Sequence, residues 1–177
     1  MKLDIDEIID VLSRTPALLK ELLNGLSSDW VNSNEGSETW SQYDVVGHIN
    51  HGERTDRMTR AKIILNYGER LAFEPFDRFA QFEASKGKTF EELLEEFAVL
   101  RKENINTLQE LKLTEADLEK TGRHPELGKV TLGELLATWV VHDFDHIGQI
   151  ARTMAKQYEN EVGPWKAYLS ILQSRKC

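Results

Sequence analysis

The stretch TLGELLATWVVHDFDHIGQIARTMAKQY, residues 131–158, decides the fold class. Thr131 followed by Glu134 forms a capping box, in which each side chain satisfies a backbone N–H that a helix start leaves unpaired. From there Leu132, Leu136, Trp139, Ile147, Ile150 and Met154 recur at helical spacing and fall on one side at about 100° per residue. His146 and His142 flank that stripe on the same edge, roughly 60° and 100° from its centre. Imidazoles one turn apart can reach a common point, and a neutral imidazole is a strong ligand for zinc, nickel or iron.

The same periodicity runs through the rest of the chain, with no convincing alternation of apolar residues. Residues 4–24 place Ile5, Ile8, Ile9, Leu12, Leu19, Leu22 and Leu23 on one stripe and predict a first helix, with Pro16 as a point of bending or splitting. The polar residues between Trp30 and Trp40 predict a loop. Ser41-Gln42-Tyr43-Asp44 reads as a cap, and a second helix is expected to run to about Tyr67, before Gly68. Thr89-Phe90-Glu91-Glu92 is another capping box, and Phe90, Leu93, Leu94, Phe97, Leu100, Ile105, Leu108 and Leu111 predict a third helix. Between these two, Phe73, Phe76, Phe79 and Phe82 are expected to anchor a long crossover against the bundle rather than bind a ligand. A second connection carries a helical turn near residues 114–120, then Gly122, Pro125 and Gly128. After Gly163-Pro164, residues Trp165, Tyr168, Leu169 and Leu172 predict a short tail helix packed on the bundle. The expectation is an all-α, four-helix bundle with long crossover connections and a short C-terminal helix. Residues 1–177 are expected to form a single domain, with the third helix parallel to the second.

With 177 residues, 40% of them hydrophobic, the chain can bury a sizeable core. Its formal net charge of -8 argues against nucleic acid as a partner, because phosphate binding needs a surplus of Lys and Arg. No stretch approaches membrane-spanning length, and Asp4 and Asp6 stand where a signal peptide needs apolar residues, so the expected location is cytoplasmic, with no membrane partner. Cys177 is the single cysteine. That excludes an internal disulfide and a Cys-rich zinc knuckle, and a terminal thiol is expected to be frayed and exposed rather than nucleophilic.

A third ligand must come from elsewhere, because the histidine pair alone is weak: five histidines make ten pairs, and about one such chain in nine would show this spacing by chance. On the second helix Val45, Val46, Ile49, Ile63 and Ile64 define the buried side, which places His48 at its border and His51 roughly opposite. His48 is therefore the candidate third ligand, with His51 its competitor. His124, in a polar loop, reads as a surface residue. Hydrogen bonding at a helix interface is the competing role for all three. Asp143 and Asp145 could orient an imidazole or act as a base, although solvated acids are commoner on helices. Turns of about 500° from His48 and about 300° from His146 remove Glu53 from the ligand set and leave Gln149 as a pocket neighbour. Trp40 and Trp139 either line the mouth or pack the core.

Three imidazoles leave at least one coordination position open, which suits chemistry better than a closed structural site. A cation there could activate water against an ester, amide or other small-molecule electrophile, the hydrolase reading. It could instead favour the thiolate of a low-molecular-weight thiol cosubstrate, the S-transferase reading. The alternative is a noncatalytic metal-binding or oligomerisation bundle, or an interaction protein with no metal.

The blocks Trp40–Glu53, Gly128–Leu136 and His142–Ile150 resemble the DinB-like superfamily, metal-binding four-helix proteins related to bacillithiol and mycothiol S-transferases and to proteins labelled as metal-dependent hydrolase candidates. His48 matches the metal histidine of that family's second helix, and His142 and His146 match the pair on its fourth. The resemblance implies a divalent metal (nickel, zinc or iron) that also carries water, and a homodimer. It implies a metalloprotein more firmly than any particular reaction.

Overall fold

The computed structural model describes residues 3–173; Cys177 lies outside the described residues. In chain order the elements are α1 (Ile5–Leu23), α2 (Ser28–Asn32), α3 (Gln42–Thr55), α4 (Arg57–Tyr67), α5 (Ala80–Ser85), α6 (Phe90–Glu110), α7 (Glu115–Leu118), strands β1 (Thr121–His124) and β2 (Gly128–Thr131), and α8 (Leu132–Lys156). Local chemistry starts the long helices. Asp4 accepts the backbone N–H groups of Asp6 and Glu7, and reciprocal capping boxes join Ser41 to Asp44, Thr89 to Glu92 and Thr131 to Glu134.

The bundle consists of α1, the α3–α4 pair, α6 and α8. Tyr43 packs on Phe90, Asn50 donates to the Leu93 carbonyl, and Glu53 meets Arg101 and Asn104, so α6 runs parallel to α3. The contacts of His48 with His146 and of Glu53 with Trp139 show that α8 runs antiparallel to α3. Such a topology needs the long crossover through α5, since parallel neighbours cannot be joined by a tight turn. Two apolar clusters fill the interior. Leu12, Ile64, Phe73, Leu108, Leu136 and Trp139 belong to one. The other includes Leu19, Val45, Leu93, Phe97 and Ile150. No described helix is long and apolar enough to cross a membrane.

Several expectations are corrected. The second helix is interrupted at Asp56, whose backbone (φ -110°, ψ -80°) leaves the helical region; the apolar period carries across the break and conceals it. Pro16 does not split α1, which continues through it. An antiparallel hairpin pairs Thr121 with Thr131 through His124 with Gly128, in strands too short for alternation to register. Gly122 is required there, because a Cβ would stand 2.7 Å from Ile64 Cγ1 and 2.8 Å from Phe73 Cζ. The phenylalanine series is not one anchoring stripe: Phe73 is buried, Phe76 packs on His48 and His51, and Phe79 and Phe82 stay exposed. The tail forms 3-10 turns at Gly163–Tyr168 and Ser170–Leu172 instead of an α-helix. Leu172 is buried there, but Trp165 and Tyr168 are 72% and 83% exposed, so the expected apolar face is not engaged.

Candidate metal centre

α3 and α8 bring His48, His142 and His146 to one place, with ligand atoms all within 4.8 Å of one another. The His142 and His146 Nε2 atoms are 3.1 Å apart. Two imidazoles sharing one ion at the usual zinc–nitrogen length stand about 2.9–3.4 Å apart, so this pair already has ligand spacing. His51 is not part of the group; its ring lies tilted against Phe76, with centroids 5.1 Å apart.

The donor chemistry fits a cation. Gln149 places its Oε1 3.0 Å from His146 Nδ1. An amide oxygen only accepts, so Nδ1 carries the proton and the Nε2 lone pair faces the cluster. His48 Nδ1 is buried with no hydrogen-bond partner, a ring nitrogen left available where nearly all buried polar atoms are paired. Burial first, then the neighbouring His146, His51, Arg57 and Arg78, lowers the His48 pKa to about 3. Burial and the Arg57 charge lower that of His142 to about 2. Burial also lowers His146, although its bond to Gln149 opposes the shift. All three rings are therefore neutral near pH 7, the form that ligates metal.

Beneath the cluster lies a polar layer that sequence reasoning did not anticipate. Arg101 of α6 is completely buried. Its Nη1 donates to Asp143 Oδ2 (2.6 Å) and the Leu12 carbonyl (2.9 Å), and its Nη2 to Asp143 Oδ1 (2.9 Å) and Glu53 Oε1 (2.8 Å). One guanidinium thus ties α1, α3, α6 and α8 together. Pro16 explains the contact with α1: it has no N–H for the Leu12 carbonyl one turn back, and Arg101 takes that acceptor. Thr15 donates to Asp143, and Trp139 Nε1 and Asn104 to Glu53. Burial disfavours the Arg101 charge, but the bond to Asp143 and the charges of Glu53 and Asp143 outweigh it and raise its pKa. Asp143 is consequently neither a solvated acid nor a partner of the imidazoles; it fixes α8 beside His142. Asp145 is exposed. Trp139 belongs to the core.

The histidines open onto a cavity of about 640 Å³. Trp40 covers His48, with ring centroids 4.8 Å apart, and Phe76 meets it edge-on at 5.6 Å. His124, expected as a surface residue, lines this cavity from the hairpin. Its Nδ1 accepts the N–H groups of Glu126 and Leu127 at 3.2 and 3.1 Å, which fixes the ring. Arg57 and Arg78 line the cavity as well; nothing in local periodicity singled them out.

Fold and donor set together define a helical-bundle protein with a candidate three-histidine metal centre. The chain belongs to the DinB superfamily, whose sequence pattern matches residues 12–150. It is 26% identical over 153 residues to a protein of Oceanobacillus iheyensis named as a metal-dependent hydrolase candidate, covering 82% of this chain and 83% of that one. Its fold is similar to that of YfiT from Bacillus subtilis, titled a probable metal-dependent hydrolase with an unusual four-helix bundle topology: TM-score 0.76, 24% identity and 89% of each chain covered.

Proposed function

We propose that His48, His142 and His146 hold one divalent cation and that the protein is a metal-dependent enzyme, a hydrolase of a small molecule admitted by the cavity. The observation that carries this reading is the convergence of three neutral imidazoles at a cavity wall, with no fourth histidine, cysteine or carboxylate in the group among the described residues. Three protein donors leave room for a reactant, whereas structural zinc sites close with four. The cation would supply Lewis acidity and ease deprotonation of water or a thiol.

The chain's own residues do the rest. Gln149 orients His146, and the Arg101 layer holds α3 and α8 at the separation the three rings need. Trp40 and Phe76 pack against His48 where it lines the cavity. Zinc, nickel and iron all suit imidazole donors. The names of the similar proteins support hydrolysis. The cavity size also favours a second reading, thiol S-transfer, since about 640 Å³ accommodates a low-molecular-weight thiol beside an electrophile.

Elemental analysis of untagged protein tests the site. Wild type is expected to carry about one equivalent of metal, and His142→Ala and His146→Ala far less; equal content in all three defeats the assignment. Turnover of activated esters, and of alkyl halides with and without added thiol, separates the two reactions. A noncatalytic centre would reveal itself if chelation lowered the melting temperature substantially and no substrate turned over.

A further inference from the structure

Four guanidinium groups line the cavity, those of Arg57, Arg60, Arg78 and Arg152, in a protein of net charge -8. Three are engaged. Arg152 donates to Glu35 at 2.6 Å. Arg57 and Arg60 both rest on Asp56, at 2.7 and 2.6 Å, so one buried carboxylate serves two largely buried guanidiniums and a positive charge is left in excess.

Arg78 differs. Among the described residues its contacts are aromatic rings alone: Cζ lies 5.0 Å from the Phe79 centroid and 5.6 Å from that of Trp40, the ring that covers His48. A ring attracts the charge of a guanidinium but takes none of its N–H hydrogen bonds, and no described acceptor bonds to those of Arg78. The acids on the same wall do not take them: Glu35 is held by Arg152, and neither Glu38 nor Glu126 forms an ion pair with Arg78. The result is an unspent two-pronged donor beside an aromatic wall, on the cavity that the candidate metal centre also lines.

We propose that the cavity takes a small molecule bearing a carboxylate on an apolar body, with Arg78 gripping the carboxylate and Trp40 and Phe76 contacting the body. A planar carboxylate matches the guanidinium fork, and the excess charge of the Arg57–Asp56–Arg60 group adds attraction for any anion that enters. This deepens the enzymatic reading, resting on the cavity being the substrate site, and names the substrate class.

The test uses metal-free protein, so that a carboxylate cannot bind through an ion. Phenylacetate and its neutral isostere phenylacetamide are titrated separately while tryptophan fluorescence and ligand-observed NMR are followed. Phenylacetate is expected to saturate, the amide to bind at least about tenfold more weakly, and Arg78→Gln to weaken the acid by a similar factor while leaving the amide unchanged. Arg78 is exposed, so the variant should keep the wild-type melting temperature, which is measured alongside. Equal affinity for acid and amide, undiminished binding by Arg78→Gln, or no saturable binding of the acid overturns the proposal. Metal content of the same preparations before chelation separates the two ideas: Arg78-dependent phenylacetate binding by a protein that takes up no metal sinks the enzymatic reading and leaves this one standing.

Discussion

Replacing Arg101 with Met is expected to cost about 3–5 kcal/mol of folding stability. The side chain is 0% exposed and gives up four hydrogen bonds of 2.6 to 2.9 Å. Met fills a similar volume, so cavity formation contributes little; the dominant cost is that Glu53 and Asp143, both buried, lose the cation between them. Thr15, Asn104 and Trp139 still donate to those carboxylates, which keeps the loss from rising far beyond that range. Against a typical total of about 5–15 kcal/mol this is about a fifth or more of the margin, and at about 2–4 °C per kcal/mol for a chain of this size the melting temperature should fall by about 6–20 °C. Urea denaturation of metal-free protein at pH 7, followed by circular dichroism, gives the number. The companion variant Arg101→Met/Glu53→Gln/Asp143→Asn removes the charges together and should recover most of the loss, because replacing a whole buried ionic group is far cheaper than orphaning its members. A loss below about 1 kcal/mol in the single variant, or a triple variant no better than the single one, would refute the idea that this layer is an interdependent electrostatic joint.

Three further outcomes are expected. The His48 pKa falls from 6.5 unfolded to about 3 folded, so its contribution to stability is intact above pH 6.5 and is lost as the pH drops toward 3. At pH 5 that loss is about 2 kcal/mol in metal-free protein, and His48→Gln should be spared it; equal acid losses in the two proteins would show that the imidazole is not held neutral. Gln149→Leu keeps the bulk but frees the His146 Nδ1 proton, and metal affinity measured against a chromophoric chelator should fall about 10–100-fold, with an unchanged affinity counting against the tautomer argument. Gly122→Ala pushes a methyl group against Ile64 and Phe73 and should destabilise by about 1–3 kcal/mol, while a stability equal to wild type would mean that the hairpin yields freely.

The helices were legible because their signals are local. Capping boxes span three residues, apolar stripes repeat every turn, and both survive without knowledge of partners. The gathering of His48 with His142 and His146 was accessible for the same reason, each residue standing at the edge of a stripe. What escaped is what depends on a partner distant in sequence. Arg101 nevertheless left a trace: Leu94, Phe97, Ile105 and Leu108 are buried at spacings that put Arg101 in the middle of their stripe, and Asp143 interrupts the buried series of Leu136, Trp139 and Ile150 in the same way. Opposite charges at the centres of two apolar stripes announce a buried pair, which composition alone treats as solvated surface. The Asp56 break and the four-residue strands left no such trace, since neither disturbs a periodic pattern long enough to be read. Pro16 was visible as a flaw in α1, but its use, a carbonyl released to a guanidinium on another helix, exists only after folding.

The charges around the histidines form two opposed groups. Glu53, Arg101 and Asp143 sum to a formal charge of minus one in the bundle interior, and Asp56, Arg57 and Arg60 to plus one at the break between α3 and α4. On the proposed reading, a divalent ion held by the three imidazoles would add positive charge at the cavity wall that Arg57 and Arg78 also line. Water can screen that excess only by remaining in the cavity, whereas an anionic reactant neutralises it directly and displaces the water. Burial keeps the histidines neutral, and the charge a cation would bring to them makes a negatively charged ligand the natural complement of the open face.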